Sequence, residues 1–258
     1  MPAPIVHVEA VMGTVVSFDV RVDDEASRSR MQAAVADAVA WLHRVDEVFS
    51  TYRPESQISR LGRGELRLAD CDADVAEVLD LCAQVGRESA GYFSSTYGGR
   101  LDPTGVVKGW SVQRASELLS AAGSDRHCVN GGGDIQVVGG LTAETAWQIG
   151  IAHPLHPAGL ASVVSIRDGA VATSGTAERG AHVIDPFTGN PVRGLASVTV
   201  VGADLTRTDA YATAALAMGD AARDWLESRD GYEGFAIGAD GTGWWTSGYP
   251  HLGTVPAD

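Results

Sequence analysis

The feature that most constrains the fold is the stripe from Ser27 to Phe49, where Met31, Val35, Val39, Leu42, Val45 and Phe49 recur at the spacing of one helix face. It predicts a long amphipathic helix with one buried side, ending near Ser50 because Pro54 disfavours continuation. Upstream, Ile5 to Glu9 and Thr14 to Val22 alternate apolar and polar residues and are predicted as strands with a bend at Met12 and Gly13. Further helices are predicted over Asp72 to Ser89, with Val75, Val78, Leu79, Cys82 and Val85 inward, over Gly109 to Ala122, and over Asp220 to Leu226. Valine- and isoleucine-rich runs at His127 to Asn130, Ile135 to Val138, Trp147 to Ala152, Ser162 to Arg167 and Ala196 to Val201 are predicted strands. Gly234 to Trp245 is a predicted closing hairpin around Asp240 and Gly241.

These elements alternate without an internal repeat, a low-complexity tract or a linker-like shift in composition. At 258 residues and 45% hydrophobic, the chain is long enough for one large domain or two intimately packed lobes. The expectation is a single interlocked α+β unit over residues 1–258. Nineteen Lys and Arg against 33 Asp and Glu give a formal charge of -14, which repels a nucleic-acid backbone. A phosphate ligand then needs local help from a cation, a helix terminus or backbone amides. Cys71, Cys82 and Cys128 are too few and too irregularly spaced for a disulfide framework or a zinc cluster, and Cys82 is predicted as a core residue. Met1 to Ala10 carries neither a basic nor an apolar leader pattern, and no apolar run reaches membrane-spanning length. A cytoplasmic protein with reduced thiols, no nucleic-acid partner and no direct membrane insertion is expected.

Five stretches carry candidate chemistry. In Thr208 to Thr213 a helix capped by Thr208 sets Asp209 and Thr213 on one face a turn apart. Two hard oxygen donors so placed suit Mg²⁺; alternatively Asp209 only favours the helix dipole and Thr213 is an ordinary helix residue. Gly91 to Trp110 is a glycine-rich loop leading into a helix, matching neither the Walker A nor the dinucleotide pattern. Within it Asp102, Gly105 and Lys108 are either phosphate-site residues or part of a solvated turn. Gly131, Gly132 and Gly133 demand a sharp bend or a close backbone approach, the plainer alternative being a hairpin with Asp134 in its turn. Ala172 to Gly189 combines a Thr-Ser-Gly turn, His182 in a polar loop, and Asp185 before Pro186. Tyr52, in the turn before Arg53 and Pro54, either stacks on a planar ligand or is an ordinary loop tyrosine.

Taken in order, Met12-Gly13-Thr14, Phe49 to Tyr52, Asp102 to Gly109, Asn130 to Asp134, Thr173 to Gly175, His182 to Gly189 and Asp209 to Thr213 resemble the ApbE-type flavin transferases. That resemblance implies a T-fold-like α+β domain with β-sheets flanked by helices, and an FAD:protein FMN transferase. Such an enzyme uses Mg²⁺ to cleave the FAD pyrophosphate and attaches FMN through a phosphoester to a threonine or serine of an acceptor flavoprotein, releasing AMP. Some relatives favour hydrolysis of FAD to FMN and AMP, so an FAD pyrophosphatase is one alternative and a non-catalytic FAD-binding protein another. By resemblance, Met12, Tyr52, Tyr92, Phe93, Ser94, Asp102, Lys108 and Ile184 are flavin-site residues. Gly105, through its carbonyl, Asp209 and Thr213 are metal ligands, and His182 is the acid–base residue. Asp185 either orients His182 or caps the turn before Pro186. Two departures stand out: Ser94 replaces the aspartate common in the family, and the lipoprotein signal is missing.

Overall fold

In the computed structural model, which describes residues 3–156, 158–175 and 184–254, eight strands pair antiparallel into one sheet. The strands in chain order are β1 (Ile5–Val11), β2 (Thr14–Val20), β3 (Thr96–Tyr97), β4 (Arg100–Leu101), β5 (His127–Gly131), β6 (Asp134–Val138), β7 (Trp147–Ala152), β8 (Leu160–Ile166), β9 (Gly169–Gly175), β10 (Leu195–Gly202), β11 (Glu233–Gly238) and β12 (Gly243–Trp245). The large sheet runs β1-β2-β5-β6-β9-β10-β11-β12, while β3–β4 and β7–β8 are separate hairpins. Six helices accompany them: α1 (Glu25–Phe49), α2 (Gln57–Gly62), α3 (Ala73–Glu88), α4 (Thr104–Ala121), α5 (Leu205–Met218) and α6 (Ala222–Glu227). The α+β class with sheets flanked by helices is therefore as the sequence implied. Among the described residues no helix is long and apolar enough to cross a membrane.

The period of two along a strand divides the core. Ala170, Ala172, Val198, Val200 and Ala236 join a core shared with α1, α4 and α5. Their neighbours Val171, Val201, Phe235 and Ile237 face the other way, into a second core closed by β7 and β8. Both faces of this end of the sheet are covered, which is why all eight residues of β10 are buried and its sequence is apolar almost without alternation. At the other end, Val16, Phe18 and Val20 face the helices, but Val6, Val8 and Val15 on the opposite face are exposed.

Helix α4 is the central helix, and its placement rests on aromatic packing. Trp41 and Phe49 of α1 meet Trp110 edge-on, at ring-centroid distances of 5.1 and 5.6 Å. Both indole N–H groups are satisfied, Trp110 donating to Glu77 at 2.9 Å and Trp41 to the Ser111 carbonyl at 3.1 Å.

Several boundaries differ from the sequence expectations, each for a local reason. Helix α4 begins at Thr104 rather than Gly109, because Asp102 Oδ1 accepts from the Thr104 N–H at 3.1 Å and its hydroxyl at 2.6 Å, so Gly105 and Lys108 lie in helix. Helix α5 is capped by Asp204, whose side chain accepts from the Arg207 N–H at 2.9 Å; Thr208 lies inside the first turn. Thr173, Ser174 and Gly175 end strand β9 instead of forming a turn. Positive φ at Gly132 and Gly133 makes the β5–β6 hairpin, with Asp134 not in its turn but opening β6 as a buried residue.

His127, at the start of β5, is fully buried between two hydroxyls, Ser116 at 2.7 Å and Ser124 at 2.9 Å. Burial pushes its pKa down from 6.5 to about 4. The imidazole is thus neutral in the fold while the unfolded chain takes up a proton below about 6.5, so its contribution is complete above that pH and is lost as pH falls toward about 4. The expected outcome is a urea midpoint that declines across this window in the parent protein and declines less in His127→Gln. Parallel midpoints for the two proteins would show that the histidine is not the group responsible.

Candidate functional site

The first turn of α5 is fixed by an unusually full set of partners. A helix start leaves four backbone N–H groups without intrahelical partners. Here Leu205 N–H donates to Gln136 Oε1 of β6 at 3.0 Å, Thr206 N–H to Gln113 Oε1 of α4 at 3.0 Å, and Arg207 N–H to Asp204. The Thr208 N–H then makes the first intrahelical bond, to the Asp204 carbonyl at 3.1 Å. One residue from the sheet and one from α4 thereby set the position of α5 against both. Farther along, Tyr211 donates its hydroxyl to Glu88 at 2.7 Å, which ties α5 to the end of α3.

This placement drives Asp209 against α4 where that helix has no side chain. A Cβ at Gly109 would stand 2.6 Å from the Leu205 carbonyl oxygen and 2.8 Å from the Asp209 Cβ, so only glycine permits the approach. The Gly109 N–H donates to Asp209 Oδ2 at 3.0 Å, and Lys108 Nζ lies 3.6 Å from Oδ1. Lys108 also forms an ion pair with Asp134, whose other oxygen accepts from the Thr173 N–H at 3.0 Å. Two carboxylates, 1% and 3% exposed as residues, thus share the lysine. Burial pushes the Asp209 carboxyl up to about 7, with Asp134 adding to the rise and Lys108 and the Gly109 N–H opposing it. One turn on, Thr213 Oγ1 lies 3.2 Å from Ser174 Oγ of β9. A Cβ at Gly105 would be 3.9 Å from Thr213 Cγ2 and 2.9 Å from the ring of Phe93, so α4, α5 and the Phe93 segment converge at its first turn.

The site predicted from sequence is therefore brought together at Gly105, Lys108, Asp209 and Thr213, with Phe93 packed beneath. Met12, at φ 55° in the β1–β2 bend, reaches the same helix: its Sδ lies 3.6 Å from Ser111 Oγ, whose hydroxyl donates to the Lys108 carbonyl at 2.8 Å. Asp102 serves the start of α4. Ser94 spends its hydroxyl within its own turn, donating to the Thr96 carbonyl and accepting from the Thr96 N–H. Tyr92 meets Phe187 edge-on at 4.9 Å, which brings the loop carrying Ile184 against the Tyr92 segment. Ile184 bridges to Pro191 in that loop. Tyr52 is 95% exposed in the turn after α1. Asp185 caps its turn, Oδ1 accepting from the Phe187 N–H and Oδ2 from the Thr188 hydroxyl, both at 2.9 Å, while its expected partner His182 falls outside the described residues.

Asp134 and Ser174 are the site residues that reading the sequence did not single out. Both fall within motifs that carry the family resemblance, Asn130 to Asp134 and Thr173 to Gly175, but by residue type Asp134 stands out only as a charge beside three glycines and Ser174 as part of a turn. The available signal was that polar Asp134 and Gln136 alternate with Ile135 and Val137 in a strand whose two faces are both buried.

The model of the ApbE family matches residues 12–100 and 98–236, and the chain belongs to that family. An FAD:protein FMN transferase of Rhodobacter capsulatus is 36% identical over 135 residues, covering 49% of this chain and 25% of the relative. One from Vibrio cholerae is 30% identical over 130 residues, covering 46% of this chain and 39% of the relative. The matches thus span well under half the length of these curated relatives. Among solved structures, the ApbE protein of Thermotoga maritima superposes with a TM-score of 0.83 at 20% identity, over 96% of this chain and 99% of that one. The flavin transferase ApbE of Vibrio cholerae gives 0.83 at 19% identity, over 97% and 100%. These two likenesses establish the shared fold.

The close approach at Gly109 yields a direct expectation. Gly109→Ala must push α5 away from α4, and overpacking of this kind costs about 1–3 kcal/mol. A lowered denaturation midpoint in urea is the expected result, whereas an unchanged midpoint would mean that the helices yield without cost.

Proposed function

We propose that this chain is a Mg²⁺-dependent FAD:protein FMN transferase acting on a threonine or serine of an acceptor flavoprotein. The observation that carries the reading is the buried Asp209 carboxylate on the same helix face as the Thr213 hydroxyl, beside Lys108 and the first turn of α4. Family membership and the activity for which the relatives are named support it.

The donor set fits a magnesium ion. It offers hard oxygens: the Asp209 carboxylate, the Thr213 hydroxyl and the Gly105 carbonyl. In an α-helix the Gly109 N–H is the natural partner of that carbonyl, and here the N–H also serves Asp209, which loosens the carbonyl's claim on it. Among the described residues no three His, Cys, Asp or Glu side chains gather as a metal cluster, consistent with a cation that completes its shell from water and phosphate. When bound, the ion neutralises charge on the pyrophosphate during its cleavage.

The chain's own residues supply the rest. Lys108 places a positive charge between Asp134 and Asp209, and together with a bound divalent cation it would outweigh the two carboxylates and offset the repulsion that a chain of net charge -14 exerts on a diphosphate. Met12, Tyr52, Tyr92, Phe93, Asp102 and Ile184 make up the flavin-binding surface in this reading, with Ser94 at the edge of it. His182 takes the proton from the acceptor hydroxyl as its oxygen attacks the FMN phosphorus; the pyrophosphate P–O bond breaks and AMP leaves. Incubation with FAD, Mg²⁺ and candidate acceptors, followed by mass spectrometry, tests the reading through a covalent FMN adduct on threonine or serine. FMN and AMP formed without any adduct would instead establish a pyrophosphatase, and FAD retained intact a binding protein.

Two variants separate the roles. Because the raised Asp209 carboxyl is protonated more readily in the fold than in the unfolded chain, its ionisation opposes folding as pH rises toward about 7, and a bound cation offsets that loss. Mg²⁺ should therefore raise the melting temperature at about pH 8 more than at about pH 5.5, since the ligand must be deprotonated. Asp209→Ala should abolish both this stabilisation and FMN transfer; retention of either at ordinary Mg²⁺ concentrations would refute the assignment. His182→Ala should still bind FAD while turnover falls by roughly 10² to 10⁴-fold, the contribution of a general base. Binding lost in proportion to rate would move the base elsewhere.

A further inference from the structure

We propose that β1 is a self-complementary edge through which two copies of this chain pair antiparallel about a two-fold axis at Val8, joining their large sheets. The inference is independent of the catalytic reading. Strand β1 lies at the end of the sheet order, and among the described residues it pairs with β2 alone. It is seven residues long, and its register with β2 runs without a bulge from Ile5 opposite Val20 to Val11 opposite Thr14. Edges of this length are ordinarily blunted by lysine, proline, an inward-pointing charge or a bulge; β1 has no lysine, proline or bulge, and its one carboxylate, Glu9, is held by His43 and His7. On its uncovered face Val6 and Val8 are 65% and 60% exposed.

A second copy fits this edge better than an arbitrary strand does, because the sequence Ile5–Val11 complements its own reverse. With Val8 opposite Val8 across the axis, Val6 faces the partner's Ala10 on the uncovered side, and His7 faces the partner's Glu9 on the helix side. That imidazole–carboxylate pair occurs twice by symmetry. The neighbouring registers that keep the faces matched are worse. Moving the axis to His7 sets the two histidines against each other, and moving it to Glu9 sets two carboxylates together. Glu9 already lies 2.9 Å from His43 and 3.2 Å from His7, so imidazole groups are its established partners. An interface that is the same patch on both molecules closes at two, giving a dimer and not a fibre. Each chain carries -14, so mutual repulsion weakens the pair at low ionic strength and added salt strengthens it.

Sedimentation velocity of the 258-residue chain over about 1 to 100 μM should show a reversible monomer–dimer equilibrium that moves toward dimer with salt. Val8→Lys sets two ammonium groups across the axis and should weaken dimerisation at least about tenfold, with the circular dichroism spectrum and melting temperature preserved. Facing residues of an antiparallel pair stand about 4.5–5.5 Å apart at Cα, within disulfide reach, so Val8→Cys should give an oxidised dimer linked through the two position-8 sulfurs. Val15→Cys, on the same face but one strand inward, should cross-link far more slowly. A wild-type monomer across the whole range, a dimer undiminished by Val8→Lys, species beyond the dimer, or faster cross-linking of Val15→Cys than of Val8→Cys would each overturn the proposal.

Discussion

Two buried carboxylates sharing one lysine are the interaction on which this structure turns. Asp134 comes from the sheet, Asp209 from α5 and Lys108 from α4, so the cluster joins the three elements of the candidate site. Taking such charges out of water costs several kcal/mol per ion after relaxation, and one ammonium cannot fully compensate two carboxylates. The rise of the Asp209 pKa expresses that deficit. Nothing about stability requires it, because apolar residues of similar volume would pack there at lower cost. An arrangement that violates the usual rule of charge pairing in a well-formed core is what a functional site looks like, and a bound cation would remove the imbalance.

The surrounding fold exists in large part to hold that cluster still. Gln136 and Gln113 accept the first backbone N–H groups of α5, fixing its height against β6 and α4. Trp110, wedged between Trp41 and Phe49, fixes α4 against the long first helix. Gly109 removes the one side chain that would hold α4 and α5 apart. Each contact is ordinary in strength; together they leave Asp209 without freedom to retreat to solvent.

The sheet itself is asymmetric in its cover. Helices shield one face along its length, while β7 and β8 cover the other face from β6 to β11, with Cys128 of β5 and Trp245 of β12 packed at the margins. The remaining portion, β1 and β2, presents valines to solvent at a free edge. Among the described residues nothing packs on these apolar side chains, and a second copy of the chain would cover them.

Sequence alone determined what depends on local pattern. The α1 stripe, the alternation in β1, β2 and β7, and the i, i+4 relation of Asp209 to Thr213 were legible because a helix or strand repeats side-chain direction at a fixed period. The order of seven short motifs also identified the family, which spacing and composition could not. Tertiary structure decided what depends on approach between distant segments. Thr208 has the right chemistry for a cap, but Asp204 captures the role because Gln136 and Gln113 meet the next two N–H groups from elsewhere in the chain. Asp134 is a plausible turn residue by composition, yet β9 and Lys108 close over it and make it a buried charge. Thr173 and Ser174 favour turns as isolated residues, but pairing of β9 with β10 satisfies their backbone in a ladder instead. Burial, and with it the shifted proton affinity of Asp209, is a property of what surrounds a residue, and no local pattern encodes it.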